Sequence, residues 1–318
     1  MTMYEDNQSD KDQIVLASGG YDHSIKIWET HTGLCQRTVQ HVDSQVNALE
    51  ITPDKQFVAA ASYQHIYMYD LGSNNPSPVI NFEGAAKNIT DIGFQQDGKW
   101  MYSGGEDCKA RIWDLKESQT QAPRCYYTGN PITSVCLHPN QVELFIGDQN
   151  GVVHRWDLKT DQTDQIIPEQ DTMVLDIAID PLGQYMACVN SKGRCYLWEL
   201  QGSFDEPTKV KPKFKFDAHN KYALKVLFSH DSQLLATTSA DQTVKIWAMR
   251  DYSLIAELKQ ESQRWVWDAA FSADDQYIFS ASSDGLVRLW NVKNENIERE
   301  YSGHQKAVTA LAFRDATC

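Results

Sequence analysis

An aromatic residue recurs at a nearly constant interval along the chain, and this repeat limits the possible folds more than any other feature. The recurring segments have the form SIKIWET, KARIWDL or TVKIWAM, in which an apolar run ends on the aromatic residue. The seven positions lie 41 to 49 residues apart: Trp28, Tyr69, Trp113, Trp156, Trp198, Trp247 and Trp290. Six of the nine tryptophans and one tyrosine therefore share one register, and such self-similarity indicates a repeat architecture.

Each repeat contains four short segments with the properties of β-strands. An alternating run such as VLDIAID comes first, then a run of small residues such as LLATTSA, the aromatic segment, and a weaker run such as SLIAELK. Turn-forming segments such as TPDKQ, QQDGK and DPLGQ separate the first two runs. The pattern is that of WD repeats, so it predicts an all-β, seven-bladed WD40 β-propeller with four antiparallel strands in each blade.

The two ends of the chain fit a closed ring. The pattern begins in the second strand of a unit and finishes in the first strand of one. We therefore expect one blade to combine an innermost strand from residues 308–313 with three strands from residues 14–40. The sequence predicts a short flexible N-terminal tail over residues 1–13 and a single propeller over 14–318. The longest interval between aromatic anchors, the 49 residues from Trp198 to Trp247, predicts a solvated outer-edge loop at residues 201–212.

Charge and cysteine content exclude several classes of protein. The chain has 43 acidic and 29 basic residues, a net charge of −14, whereas nucleic-acid binding calls for concentrated Lys and Arg. No apolar run is long enough for a membrane-spanning helix, and the polar N-terminus lacks the pattern of a signal peptide. The seven widely spaced cysteines are typical of a reducing compartment. We expect a cytosolic protein.

A set of polar residues in the sixth unit has two interpretations. As in other WD repeats, a loop His, a strand Ser, a turn Asp and the aromatic anchor are expected to form a buried hydrogen-bonded network: His219, Ser239, Asp241 and Trp247. The first unit has His304, Asp22 and Trp28 but Gly20 at the Ser position, so its network is expected to be incomplete. A hydrolase triad is the alternative, but no G-x-S-x-G motif supports it. Metal and phosphate motifs are also missing, so we predict no catalytic residue, cofactor or metal.

The start of each innermost strand lies on one rim of a propeller, and alternate residues there point the same way. Most of these pairs are polar or small, but Trp265 and Trp267 are not. Neighbouring units carry Met173 with Leu175 and Tyr222 with Leu224. These side chains either pack under loops as extra core or form a binding surface, since Trp, Tyr and Met are enriched at interface centres. We favour the binding surface.

Several long segments resemble a narrower family than WD repeats in general. QHVDSQVNALEITPD, YQHIYMYDLGSNNP, CLHPNQVELFIGDQNG and GHQKAVTALAF resemble the small WD-repeat subunit of TOR kinase complexes, also called the G-protein-β-subunit-like protein. The resemblance implies a non-enzymatic scaffold within complexes 1 and 2, a monomeric propeller that binds a helical insertion in the C-terminal lobe of the TOR kinase domain. It also implies association with the other subunits, no direct membrane insertion, and a cytoplasmic location with recruitment to the lysosomal surface.

Partner-binding residues follow from the resemblance and from the rim pattern. Gln45, Trp265 and Trp267 match family rim positions implicated in the kinase contact. Four further residues are added to the predicted set: Tyr21, Asn47, Met173 and Tyr222. A generic adaptor is the alternative, for example a substrate receptor of a ubiquitin ligase or a G-protein-β-like subunit. Such proteins call for an adaptor-binding region or an N-terminal coiled-coil helix, and only about a dozen residues precede the first predicted strand.

Overall fold

The protein forms a ring of seven four-stranded antiparallel sheets. The structure is a computed structural model, and it describes residues 14–41, 44–115, 124–203 and 206–315. The predicted tail over residues 1–13 lies outside the described residues. The described part of the chain contains 28 strands and no helix, so the predicted seven-bladed propeller is confirmed.

We number strands β1–β28 and blades 1–7 in chain order. Blade 1 contains β1 (Val15–Gly20), β2 (Ser24–Trp28) and β3 (Cys35–Gln40), with β28 (Val308–Arg314) innermost. Blade 2 contains β4 (Ala48–Ile51), β5 (Phe57–Ala61), β6 (His65–Asp70) and β7 (Ile80–Glu83). Blade 3 contains β8 (Ile89–Phe94), β9 (Trp100–Gly105), β10 (Lys109–Asp114) and β11 (Arg124–Tyr127). Blade 4 contains β12 (Ile132–Leu137), β13 (Glu143–Asp148), β14 (Val153–Asp157) and β15 (Thr163–Ile166).

The remaining three blades follow the same order from the centre outwards. Blade 5 contains β16 (Val174–Ile179), β17 (Tyr185–Asn190), β18 (Arg194–Ser203) and β19 (Glu206–Asp217). Blade 6 contains β20 (Ala223–Phe228), β21 (Leu234–Ser239), β22 (Val244–Ala248) and β23 (Leu254–Leu258). Blade 7 contains β24 (Val266–Phe271), β25 (Tyr277–Ser282), β26 (Leu286–Asn291) and β27 (Asn296–Ser302). Each of the seven aromatic anchors lies on the third strand of its blade.

Small residues on the second strands allow neighbouring blades to approach closely. A Cβ atom added at Gly19 would lie 2.7 Å from the Val46 side chain, and one at Gly104 would lie 2.5 Å from Ile132. Both distances are shorter than van der Waals contact, so even Ala would force the two blades apart. The small-residue runs of the sequence are therefore required by blade packing.

The ring is closed by hydrogen bonds between strands from opposite ends of the sequence. β28 pairs antiparallel with β1, and the register runs from Val15 opposite Arg314 to Gly20 opposite Val308. The predicted composition of this blade is therefore confirmed. The pairing covers both edges that would otherwise be open to other chains.

The hydrogen-bonded network of blade 6 uses a different hydroxyl from the predicted one. The Trp247 indole N–H donates to Thr237 Oγ1 at 3.0 Å, and Thr237 Oγ1 lies 2.8 Å from His219 Nε2. His219 Nδ1 donates to Asp241 Oδ2 at 2.9 Å, because a carboxylate can only accept. The order is therefore Trp to Thr to His to Asp. Ser239 instead donates to the Tyr222 carbonyl and accepts from the Asp241 amide.

Strand geometry explains why Ser239 was the wrong choice. Trp247 lies opposite Leu235, and Thr237 is two residues farther along the same face of β21. Ser239 is four residues from Leu235, about 13 Å along a strand that rises ~3.3 Å per residue, which is beyond the reach of the indole. Correct reading of the register would have identified Thr237.

The same correction completes the network of blade 1. Ser18 Oγ accepts from the Trp28 indole at 2.7 Å and lies 2.8 Å from His304 Nε2. His304 Nδ1 lies 2.9 Å from Asp22 Oδ2. The expectation that this blade lacks its hydroxyl was therefore wrong: Gly20 is simply two residues beyond the correct position. The relevant hydroxyls, those of Ser18 and Thr237, are fully buried, which excludes them as hydrolase nucleophiles.

The predicted outer-edge loop at residues 201–212 is instead a continuation of two strands. β18 and β19 remain paired from Arg194–Asp217 out to Ser203–Glu206, which makes them the longest strands of the described chain. The buried carboxylate of Glu143 in blade 4 accepts from the Thr208 amide at 3.1 Å, and Arg155 Nη1 donates to the Thr208 carbonyl at 2.6 Å. The extended hairpin is therefore fixed to its neighbouring blade.

Candidate functional site: the apolar sector of one rim

Side chains at the start of the innermost strands divide one rim into two sectors. In the polar sector they donate to the backbone of the next blade: Asn47 Nδ2 to Ile89 O, Thr90 Oγ1 to Ile132 O, Thr133 Oγ1 to Val174 O and Thr309 Oγ1 to Val46 O, at 2.7 to 3.0 Å. In blades 5, 6 and 7 the same position holds Leu175, Leu224 and Trp267. The two leucines have no donor, and Trp267 donates its indole N–H to Ser283 within its own blade, so three consecutive blades have an apolar rim.

The residues two positions earlier extend this apolar rim to the surface. Met173, Tyr222 and Trp265 have exposed fractions of 37%, 50% and 39%. We call Met173, Leu175, Tyr222, Leu224, Trp265 and Trp267 the apolar sector. Exposed large apolar side chains on adjacent elements mark interaction sites more often than scattered ones do.

Aromatic contacts hold the centre of the apolar sector in place. The Trp265 ring packs edge-on against Tyr222 with ring centroids 6.4 Å apart, and its centroid lies 5.6 Å from that of Trp267. The Trp267 indole donates to Ser283 Oγ at 2.7 Å, and the Ser283 amide donates to the Trp265 carbonyl at 2.9 Å. Rigid aromatic residues lose little entropy when a partner covers them, so this arrangement suits binding.

Backbone support for Trp265 comes from a buried amide. Gln263 is 1% exposed, and its Nε2 donates to the Gln242 carbonyl in blade 6 at 2.8 Å. The Arg264 amide donates to Ser282 Oγ at 3.2 Å. The loop that presents Trp265 is therefore tied to blades 6 and 7 on both sides.

The other predicted partner-binding residues lie on the same rim but outside the apolar sector. Gln45 is half-buried just before β4, and Tyr21 is 42% exposed in the turn after β1. The Asn47 amide already donates to the next blade, which gives this side chain a structural role. Tyr63, 47% exposed in the turn after β5, was missed by the sequence analysis. The sequence could have indicated Tyr63, because it occupies the same turn in blade 2 that Tyr21 occupies in blade 1.

A polar groove adjoins the apolar sector at Met173. It has a volume of about 350 Å³ and is lined by Gln149, Asn150, Asp171, Thr172, Met173 and Ser191. The Met173 amide donates to Ser191 Oγ at 3.2 Å, and the Ser191 amide donates to the Met173 carbonyl at 3.0 Å. A polar border of this kind is typical of protein–protein interfaces.

The central channel contains acidic side chains that hold blades together. The channel has a volume of about 680 Å³ and is lined by all seven innermost strands. Asp91, Asp176 and Asp268 each accept from an amide of the following blade, at 2.8 Å, 2.9 Å and 2.7 Å respectively. Each of these aspartates occupies the same position in its innermost strand. Their common role is therefore to link neighbouring blades.

One lysine lies among the channel carboxylates. Lys225 Nζ is 3.6 Å from Asp176 Oδ1. Burial alone would lower the pKa of Lys225, but the surrounding carboxylates raise it well above its ordinary value. Burial raises the pKa of Glu50 to about 7, against the opposing effect of Arg314, and raises that of Asp91 to about 6. No group of three or more His, Cys, Asp or Glu suited to a metal occurs among the described residues.

The fold and its rim define the class of the protein. The sequence model of the WD domain, G-beta repeat family matches residues 7–29, 33–70, 76–114, 210–248 and 252–291. The chain is thus a WD40-repeat β-propeller protein.

Relatives over almost the whole chain define the family more narrowly. The chain is 57% identical over 313 residues to the Target of rapamycin complex subunit LST8 of Mus musculus, with 96% of each chain covered. It is 52% identical to the Protein LST8 homolog of Drosophila melanogaster, with 96% of this chain and 98% of the relative covered. It is 43% identical to the Target of rapamycin complex subunit LST8 of Saccharomyces cerevisiae, with 95% and 99% covered. The chain belongs to this LST8 family of WD40-repeat proteins, which confirms the resemblance seen in its motifs.

None of the described residues form a helix that is long and apolar enough to cross a bilayer.

Proposed function

We propose that the protein is a non-catalytic scaffold subunit of TOR kinase complexes 1 and 2 and binds the kinase through the apolar sector. The names of its relatives support membership of a Target of rapamycin complex. The observation that carries the binding site is the exposure of Met173, Tyr222 and Trp265 on three consecutive blades. The partner in this proposal is the C-terminal lobe of the kinase domain, and the complex supports growth and nutrient signalling in the cytoplasm.

The chemistry of the apolar sector supports a protein partner. Interface hot spots are enriched in Trp and Tyr, lie near the centre of the contact and are surrounded by polar groups that exclude water. Trp265 has this position, in ring contact with Tyr222 on one side and Trp267 on the other, and the polar groove borders the apolar sector at its far end, beside Met173. A helix of the partner could place apolar side chains on these rings and polar ones over the groove.

The engagement of the buried polar groups in structural hydrogen bonds supports a scaffold role. The buried His and hydroxyl groups form relays within blades, and the channel aspartates accept from neighbouring amides. A bound scaffold stabilises its partner by mass action, since it binds only the folded kinase lobe. In this proposal, loss of the subunit lowers kinase activity by destabilising the lobe that holds the active site.

The test replaces Trp265 by Ala and measures recovery of the TOR kinase with the tagged protein. Truncation of a hot-spot Trp costs at least about 2 kcal/mol, so we expect binding to weaken by about thirtyfold or more. Trp265→Ala should leave the melting temperature nearly unchanged, because the ring is 39% exposed.

The matched control is Trp100→Ala. Trp100 is half-buried at the start of β9, at the opposite end of its blade from the rim. This variant should retain the kinase. Normal kinase recovery with Trp265→Ala, or loss of folding that accompanies loss of binding, would favour the alternative in which the rim tryptophans are extra core.

A further inference from the structure

The chain contains two Ser/Thr-Pro pairs, and the structure places them in opposite environments. Thr52, which precedes Pro53, is 5% exposed. Its hydroxyl donates to Asp54 Oδ1 at 2.6 Å and accepts from the Phe57 amide at 3.0 Å. This buried hydroxyl is committed to the turn between β4 and β5.

Ser77, which precedes Pro78, is exposed in the segment Leu71–Val79 between β6 and β7. Pro76 and Pro78 fix backbone angles on both sides, and the residue before a proline is held in an extended conformation. The Ser77 amide donates to Asn75 Oδ1 at 3.0 Å. No hydrogen bond within the described part of the chain uses the Ser77 hydroxyl. An exposed, extended Ser-Pro pair is the form in which proline-directed kinases bind their substrates.

A cation lies beside this segment. Arg37 on β3 of blade 1 donates from Nη1 to the Asp70 carbonyl at 2.7 Å and from Nη2 to the Asn75 carbonyl at 2.5 Å. Both acceptors are neutral, and Arg37 forms no ion pair with a carboxylate of the described residues. Asn75 is only two residues from Ser77, and the segment Leu71–Val79 contains no acidic residue.

We propose that Ser77 is a phosphorylation site for a proline-directed serine/threonine kinase and that Arg37 binds the resulting phosphate. Ser77 Oγ attacks the γ-phosphorus of a nucleoside triphosphate and forms a new O–P bond. The bond from that phosphorus to the bridging oxygen breaks, the nucleoside diphosphate leaves, and the hydroxyl proton passes to the catalytic carboxylate of the kinase.

The product would link two blades. A phosphoserine carries a charge of about −1.5 to −2, and an arginine can bind it with two parallel hydrogen bonds. Arg37 belongs to blade 1 and Ser77 to blade 2, so the new ion pair crosses the junction beside the blade that closes the ring. The modification would therefore restrain Leu71–Val79 against blade 1.

The first experiment tests the acceptor. A proline-directed kinase that phosphorylates the synthetic peptide SNNPSPVIN is incubated with the purified folded protein and ATP, and the sites are mapped by mass spectrometry. We expect one phosphoryl group at Ser77, none at Thr52, and none in Ser77→Ala. The proposal is overturned if no such kinase modifies the peptide, or if the peptide is modified while the folded protein is not.

The second experiment tests Arg37 as the phosphate ligand. Limited proteolysis within Leu71–Val79 is compared before and after phosphorylation, in the natural chain and in Arg37→Met. A charge-assisted pair should slow cleavage of the phosphorylated natural chain about tenfold. Each variant is compared with its own unphosphorylated form, so any general effect of the substitution cancels. Equal slowing in Arg37→Met would show that Arg37 does not bind the phosphate.

Discussion

Replacing Thr237 by Val removes one buried hydroxyl and almost no volume, so it isolates the relay of blade 6. In the natural chain this hydroxyl accepts from the Trp247 indole and donates to His219 Nε2, because His219 Nδ1 donates to Asp241. Thr237 is fully buried, so water cannot replace it. The substitution leaves one N–H and one ring nitrogen without partners.

The cost follows from the two orphaned groups. A buried polar group without a partner costs ~1–3 kcal/mol, so the two together give a loss of about 2–6 kcal/mol. Total stability of a folded protein is commonly ~5–15 kcal/mol, and the loss is therefore a large part of it. The relay ends on the charged side chain of Asp241. Burial opposes this charge, but hydrogen bonds from His219 and Thr243 hold the pKa of Asp241 well below its ordinary value.

The assay is chemical denaturation followed by tryptophan fluorescence, with the midpoint as the measured quantity. Thr237→Ser is the matched control, because it keeps the hydroxyl and should retain most of the stability. Ser280→Ala gives a second comparison, since Ser280 accepts from the Trp290 indole. A Thr237→Val midpoint equal to that of the natural chain, or a Thr237→Ser loss as large as that of Thr237→Val, would refute the relay.

Three further predictions concern the ring, the hairpin and the channel. Deletion of residues 308–318 removes β28 and exposes β1, so we expect a lower melting temperature and aggregation on size-exclusion chromatography; an unchanged melting temperature would contradict ring closure. Glu143→Gln weakens the buried contacts of Glu143 with Arg155 and Thr208, while Arg155 keeps Asp164 as a carboxylate partner, so it should cost about 1–3 kcal/mol in denaturant midpoint analysis; an unchanged midpoint would contradict this. Burial raises the pKa of Glu50 to about 7, so the folded chain keeps a proton that the unfolded chain releases near pH 4.5. This group must therefore make stability fall as pH rises from about 4.5 to 7, and Glu50→Gln should flatten a pH series of melting temperatures in that window; an unchanged slope would contradict it.

The architecture could be predicted from sequence because each blade repeats one local pattern. The seven aromatic positions identified the third strands, and the position of Val308–Arg314 in that pattern predicted ring closure. Hydrogen-bond partners were harder to predict, since a choice between Ser239 and Thr237 depends on strand register. The hairpin at 201–212 was missed because alternating Lys and apolar residues are also compatible with a solvated loop.

The apolar sector could be predicted only in part, and its role in binding stays a prediction. The sequence indicated Trp265, Trp267, Met173 and Tyr222 because apolar side chains break a polar rim pattern. The role of Asn47 could not be found in this way, since its carbonyl partner, Ile89, belongs to the next blade. A single residue does not reveal whether its polar group faces a partner protein or a neighbouring strand.

Ring closure requires a delay between the synthesis of β1 and its pairing with β28. Val15 pairs with Arg314, and at a synthesis rate of ~5–20 residues per second the ribosome needs about 15–60 s to make the chain between them. Throughout this interval β1 has one unpaired edge, and the final pairing must bring together residues at the greatest sequence separation, which slows folding. β1 must therefore keep an open edge without pairing to another chain until the last strand is available.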